Sequence, residues 1–152
     1  MSVLENRIAI ITGSSSGIGA GVAEAFATEG ATVIINYPDE SELKNAQNIL
    51  NKIIHLSPQS QIIQANVSSE DEVISMINEI NSIHGTIDIL VNNAGIATSA
   101  PVHEMTSSMW DELISIHLKG TFLCTREVLK IMYKKNYGKI INTASQLAYK
   151  GS

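Results

Sequence analysis

Five short runs dense in apolar, largely β-branched residues recur along the 152-residue chain, and longer segments of a different period separate them. The runs are RIAII at 7–11, TVIIN at 32–36, QIIQAN at 61–66, IDILVNN at 87–93 and KIINTA at 139–144. Apart from the third they are near-continuous in apolar residues rather than alternating, the pattern of parallel strands covered on both faces. Between them, Leu43, Ala46, Leu50, Ile53 and Ile54 fall on one helical face, and Val73, Met76, Ile77, Ile80 and Ile83 on another. Asp39 with Glu42, and Ser69 with Glu72, have the spacing of a capping box. Residues from about Ser107 to Tyr133 read as a longer helix, apolar over more than one stripe and expected to be well buried, with Trp110 and Cys124 in its core. The order β-α-β-α-β-α-β-α-β predicts an α/β fold: a doubly wound sheet of five parallel strands with helices on both faces.

Charge and cysteine content narrow the function classes. The formal charge is −5 and no basic run appears, which argues against nucleic acid or an anionic membrane as partner. A single cysteine excludes an internal disulfide and fits a reducing, cytoplasmic compartment. The first residues lack the architecture of a signal peptide, and no uncharged apolar run has the length of a membrane span. With no linker or repeat, residues 1–152 read as one domain.

The first run leads into TGSSSGIG at 12–19, where Gly13, Gly17 and Gly19 stand between a strand and a helix. A turn that must be tight and let a pyrophosphate approach its backbone has no room for Cβ atoms. The helix that follows aims its free N–H groups and positive dipole end at the phosphates. The alternative is a glycine-rich turn with no ligand. A phosphate loop of the Walker type is excluded, since no Lys-Ser or Lys-Thr follows the last glycine.

With these residues in view, the chain resembles the short-chain dehydrogenase/reductase family. TGSSSGIG is similar to that family's TGxxxGxG, NNAG at 92–95 follows the fourth strand, and GKIINTAS at 138–145 leads to the position of the family's catalytic serine. The resemblance covers the whole chain. It implies a Rossmann-like dinucleotide-binding domain, NAD or NADP as cofactor, and hydride transfer between nicotinamide and a small-molecule secondary alcohol or ketone. It implies a homo-oligomer, commonly a tetramer, for the full-length protein. The cofactor would be lined by Gly13, Ser15, Ser16, Gly17, Ile18, Gly19, Tyr37, Asn66, Val67, Asn93, Ala94 and Gly95, with Gly95 giving room for the nicotinamide ribose and Asn92 tying strands together. Tyr37 stands where relatives that prefer NAD carry an Asp, and Asn66 where many carry an adenine-contacting Asp. With no cation nearer than Lys44, and Asp39 and Glu40 adjacent, the segment INYPDES leans to NAD.

By the same resemblance Ser145 is the catalytic serine, and His117 occupies the position of an Asn that holds a proton-relay water. His117 reads equally as a packed histidine. The family's Tyr-x-x-x-Lys has no match: Tyr149 and Lys150 are adjacent, in what reads as a loop, and on a helix they would splay apart. The chain therefore reads as the N-terminal portion of a dehydrogenase, incomplete at its C-terminal end. The alternative is a non-catalytic dinucleotide-binding module, if 152 residues is the whole natural chain. No metal site is expected.

Overall fold

A computed structural model describes residues 2–150 of the chain. Five strands, β1 (Ile8–Ile11), β2 (Thr32–Tyr37), β3 (Gln61–Gln64), β4 (Ile89–Asn92) and β5 (Lys139–Asn142), form one sheet in the order β3-β2-β1-β4-β5. All four pairings are parallel. Six helices accompany it: α1 (Gly17–Thr28), α2 (Leu43–Ile53), α3 (Glu70–His84), α4 (Ser107–Ile114), α5 (Gly120–Lys135) and the short α6 (Leu147–Lys150). The doubly wound parallel sheet expected from the sequence is the observed fold.

Side chains alternate across the sheet and so build two cores. Ile8, Ile10, Ile34 and Leu90 point to one face, where they meet Val73, Met76, Ile77 and Ile80 of α3 and Leu123, Cys124 and Val128 of α5. Ala9, Ile11, Val33, Ile35, Ile89 and Val91 point to the other, against Ala20, Ala23 and Ala27 of α1 and Ala46, Ile49 and Ile53 of α2. Small alanines on α1 let that helix lie close to the sheet. β5 is the exception, an edge strand whose residues are exposed apart from half-buried Ile140.

Several local expectations are corrected. Ile54 lies one residue past the end of α2 and is exposed, while Ile49 takes the buried place. Ile83, in the last turn of α3, is exposed as well. Neither capping box closes. Asp39 caps a short 3-10 turn, Glu40–Glu42, by accepting from Ser41 N, and Ser69 makes no side-chain cap bond. The glutamates reach instead to loops beyond the strands. Glu42 Oε2 accepts from Ser15 Oγ at 2.7 Å, and Glu72 Oε2 from Asn66 N at 2.8 Å.

The long helix is interrupted. Between α4 and α5, Ser115–Lys119 form a π-helical turn in which Gly120 N–H donates to Ser115 O. It is not buried throughout: α4 has no buried residue, and Trp110 is 57% exposed, so it is not core. Trp110, Ile114, Leu118 and Phe122, four residues apart, form an exposed apolar row. Such a row creeps about 40° per step around a regular helix. The wider π turn takes part of that lead back and keeps the row on one face. Cys124 is core, and burial pushes its thiol pKa up to about 12.

Candidate functional site

The carboxyl ends of the strands open on a cleft of about 600 Å³. It lies where the winding reverses, since β1 leads outward to β2 and β3 while β4 leads the other way to β5. Residues from the glycine turn, from the ends of β2 and β3, and from the segment after β4 line it.

The three glycines differ in what requires them. Gly13 has φ +60°, and a Cβ there would lie 2.8 Å from Ala94 Cα. A Cβ on Gly19 would lie 2.6 Å from Gly13 O and 2.5 Å from Asn93 Nδ2. These two are fixed by packing. Gly17 also has a positive φ, +56°, but a Cβ there would meet nothing within 4 Å. Its bare side faces open space at the start of α1, beside Ser16, which makes no side-chain cap bond to the first-turn N–H groups. An anion can approach that backbone closely, with α1 supplying donors and dipole. The residues present therefore fit a pyrophosphate.

Around this turn the polar side chains brace backbone. Thr12 Oγ1 accepts from Asn93 N and Ala94 N, both at 3.0 Å, and Asn93 Nδ2 donates to Thr12 O and Gly13 O. Asn92 Nδ2 donates to Asn142 Oδ1 at 2.9 Å and to Thr125 Oγ1 at 3.1 Å, so it joins β4 to β5 and to α5. Asn66 Oδ1 accepts from Ser68 N and Ser68 Oγ, folding the loop after β3.

Ser15, Ser16, Gly17, Ile18, Asn66, Val67, Asn93, Ala94 and Gly95 all line the cleft, together with Gly13. Tyr37 does not. Strand alternation turns it toward α1 and α2, where it is 6% exposed and burial raises its pKa, with Glu40 adding to the shift. Asn36, one residue earlier, faces the cleft instead. Its Oδ1 accepts from Gly13 N at 3.1 Å and its Nδ2 donates to Ala65 O at 2.9 Å. Asn36, Pro38, Glu42, Ile96, Glu112, Ile116 and Thr143 also line the cleft and were not picked out from sequence as site residues, and Asp39, whose charge was set against a 2′-phosphate, lines it too. The alternation of β2 was the one signal that pointed to Asn36.

Gly95 is required by a neighbour in the chain. A Cβ there would run into His117 Cε1, so the imidazole packs directly against the Gly95 backbone. His117 Nε2 is 2.9 Å from Ile96 O and 3.1 Å from Ile96 N. One ring nitrogen serves either as donor to that oxygen or as acceptor from that N–H, according to tautomer. His117 sits in the π turn and holds the segment after β4.

Ser145 lies past β5 and outside the cleft lining, which reaches Thr143. Its Oγ accepts from Leu147 N at 3.2 Å and so starts α6. Tyr149 and Lys150 are therefore on a helical turn rather than in a loop, and Tyr149 is 91% exposed. Among the described residues no cluster of three His, Cys, Asp or Glu could hold a metal, and no helix is long and apolar enough to cross a membrane.

A doubly wound sheet with a bare glycine turn at its switch point defines a nucleotide-binding fold of the Rossmann type. The model of the short chain dehydrogenase family matches residues 7–152, and the chain belongs to that family. It is 39% identical over 146 residues to an uncharacterized oxidoreductase, YxbG, of Bacillus subtilis, covering 95% of this chain and 52% of that protein. It is 38% identical over 147 residues to the 3-oxoacyl-[acyl-carrier-protein] reductase FabG of Staphylococcus epidermidis, covering 97% and 59%. It is 37% identical over 152 residues to the 3-oxoacyl-[acyl-carrier-protein] reductase of Synechocystis, covering 100% and 61%. The chain thus spans between half and two thirds of the length of these relatives.

Proposed function

We propose that this chain is the cofactor-binding part of an NAD(P)-dependent oxidoreductase acting on a secondary alcohol or ketone. The open side of Gly17 against the uncapped start of α1, at the switch point of the sheet, carries the reading. When bound, the nicotinamide dinucleotide supplies the hydride donor or acceptor. Gly13, Ser15, Ser16, Gly17, Ile18 and Gly19 hold the pyrophosphate region. Residues after β2 and β3, among them Asp39, Glu42, Asn66 and Val67, take the adenosine side. Asn93, Ala94, Gly95 and Ile96 take the nicotinamide side, nearest β5. Ser145 is assigned to orient the substrate carbonyl. His117 fixes Ile96 and leaves Nδ1 as the nitrogen available for a proton relay. The family's Tyr and Lys have no match here, and we assign them to sequence outside this chain. The reductases among its relatives favour a carbonyl substrate and do not favour the non-catalytic alternative.

We assign NAD rather than NADP as the preferred cofactor. The cleft lining includes Asp39, Glu42 and Glu112 and neither Lys nor Arg, and a 2′-phosphate needs a cation to pair with. Titration of the chain by nucleotide fluorescence is expected to give NADH an affinity about tenfold or more above that of NADPH. Equal or tighter NADPH binding would refute the preference.

Self-association is proposed through the exposed row Trp110, Ile114, Leu118 and Phe122, which a second copy of the chain would cover. Replacing Leu118 and Phe122 together by Ser is expected to shift the mass in sedimentation equilibrium toward the monomer. An unchanged mass would count against this face.

A further inference from the structure

We infer that Glu42 is the residue that reads the adenosine ribose, and that Ser15 of the glycine turn holds it in position to do so. The inference rests on the nicotinamide-cofactor reading above and names the selecting residue within it. The tip of β2 cannot supply the contact. Tyr37 is turned into the core, and the amide of Asn36 is spent on Gly13 N and Ala65 O. Pro38 has no polar side chain. Three carboxylates follow within five residues of the strand, Asp39, Glu40 and Glu42, and of these Asp39 and Glu42 line the cleft while Glu40 does not.

The two are held differently. Asp39 is exposed, and its Oδ1 accepts from Ser41 N and Ser41 Oγ to cap the 3-10 turn, bonds that hold its pKa down. Glu42 is half-buried, and its Oε2 accepts from Ser15 Oγ at 2.7 Å and Asn45 Nδ2 at 3.1 Å. Ser15 is itself only 6% exposed, within the turn. Glu42 Oε1 accepts no hydrogen bond among the described residues. A carboxylate with one oxygen fixed and the other free is suited to accept from a ribose hydroxyl, and would repel a phosphate placed there. The Ser15–Glu42 bond also joins the turn proposed to grip the pyrophosphate to the group proposed to read the sugar. A shift of the turn would carry Glu42 with it.

NADH and NADPH titrated in parallel against the unaltered chain, Glu42→Gln, Ser15→Ala and Asp39→Asn test the assignment, with thermal unfolding as the check on folding. Gln can still accept from Ser15 but carries no charge. Glu42→Gln is expected to cut the NADH-over-NADPH ratio about tenfold, the scale of one hydrogen bond to a charged group. Ser15→Ala keeps the carboxylate but frees it, and is expected to cut the ratio about threefold. Asp39→Asn also removes a charge from the cleft lining, but its carboxylate is engaged by Ser41, and it should cut the ratio clearly less than Glu42→Gln does. An unchanged ratio in Glu42→Gln, with the ratio collapsing in Asp39→Asn, overturns the role of Glu42 and leaves the cofactor preference standing. Tighter NADPH binding by the unaltered chain overturns the preference and this inference with it.

Discussion

Gly13→Ala is expected to destabilise the fold by about 2–4 kcal/mol and to weaken NADH binding about a hundredfold or more. Two costs combine. Gly13 has φ +60°, a conformation that a residue with a Cβ adopts at a penalty of about 1–2 kcal/mol. The added Cβ would also lie 2.8 Å from Ala94 Cα, 3.2 Å from Ala94 Cβ and 3.3 Å from Ala94 N. Those neighbours are backbone or bound to it, and they cannot swing aside. Ala94 N and Asn93 N are both tied to Thr12 Oγ1, and Asn93 Nδ2 to Thr12 O and Gly13 O. The clash is therefore relieved by separating the glycine turn from the segment after β4, the two sides of the cleft. Binding falls for that reason even in molecules that stay folded. Gly17→Ala is the contrasting variant. Its Cβ would meet no protein atom within 4 Å, so it pays only the conformational cost while filling the side proposed to face the phosphates. It should lose affinity with a smaller loss of stability. Urea unfolding and fluorescence titration measure the two effects. A Gly13→Ala chain with unchanged midpoint and affinity would show that the turn is not what positions the cleft.

The succession of strands and helices along the chain and the glycine turn were legible because they depend on local signals. Near-continuous apolar runs mark covered parallel strands, and a glycine cluster between strand and helix marks the phosphate turn. What was not legible depends on contacts far apart in the chain. Glu42 has the spacing of a capping box with Asp39, and only the folded chain brings Ser15 to it across 27 positions. Gly95 was read as room for a ligand, but the atom that demands it is His117 Cε1, on the helical π turn. The geometric alternation of side chains along β2 was available from sequence and puts Tyr37 and Asn36 on opposite faces. The reading by resemblance overrode it, because family position counts residues along the strand and not the side to which each points. Trp110 failed for another reason. Its spacing to Leu113 and Ile114 marks an apolar face, and such a face does not say whether this chain or something else covers it.

Asp88→Ala is expected to cost about 2–4 kcal/mol of stability, nearly as much as any single change to the cleft, although Asp88 lies at the opposite end of the strands. Its side chain is fully buried just before β4, where Oδ2 accepts from Ile8 N at 2.9 Å and Oδ1 pairs with Lys135 Nζ and, at 3.5 Å, Arg7 Nη1. Its backbone continues the sheet on both sides, with Asp88 N donating to Ile8 O and Lys139 N donating to Asp88 O. The residue thus joins the starts of β1, β4 and β5. Removing the carboxylate leaves Ile8 N–H buried without an acceptor, a loss of about 1–3 kcal/mol. The two cations are each more than a third exposed and can turn to water, so the ion pairs themselves account for less. Asp88→Asn separates these contributions. An amide oxygen can still accept from Ile8 N while the charge is gone, so Asn is expected to cost about half as much as Ala. Urea midpoints at constant m-value give the order. Asn as damaging as Ala would mean that the charge, and not the hydrogen bond to Ile8, holds the base of the sheet together. Because the cleft is formed by the other ends of the same strands, Asp88→Asn should leave NADH affinity within about twofold of the unaltered chain wherever the protein is folded.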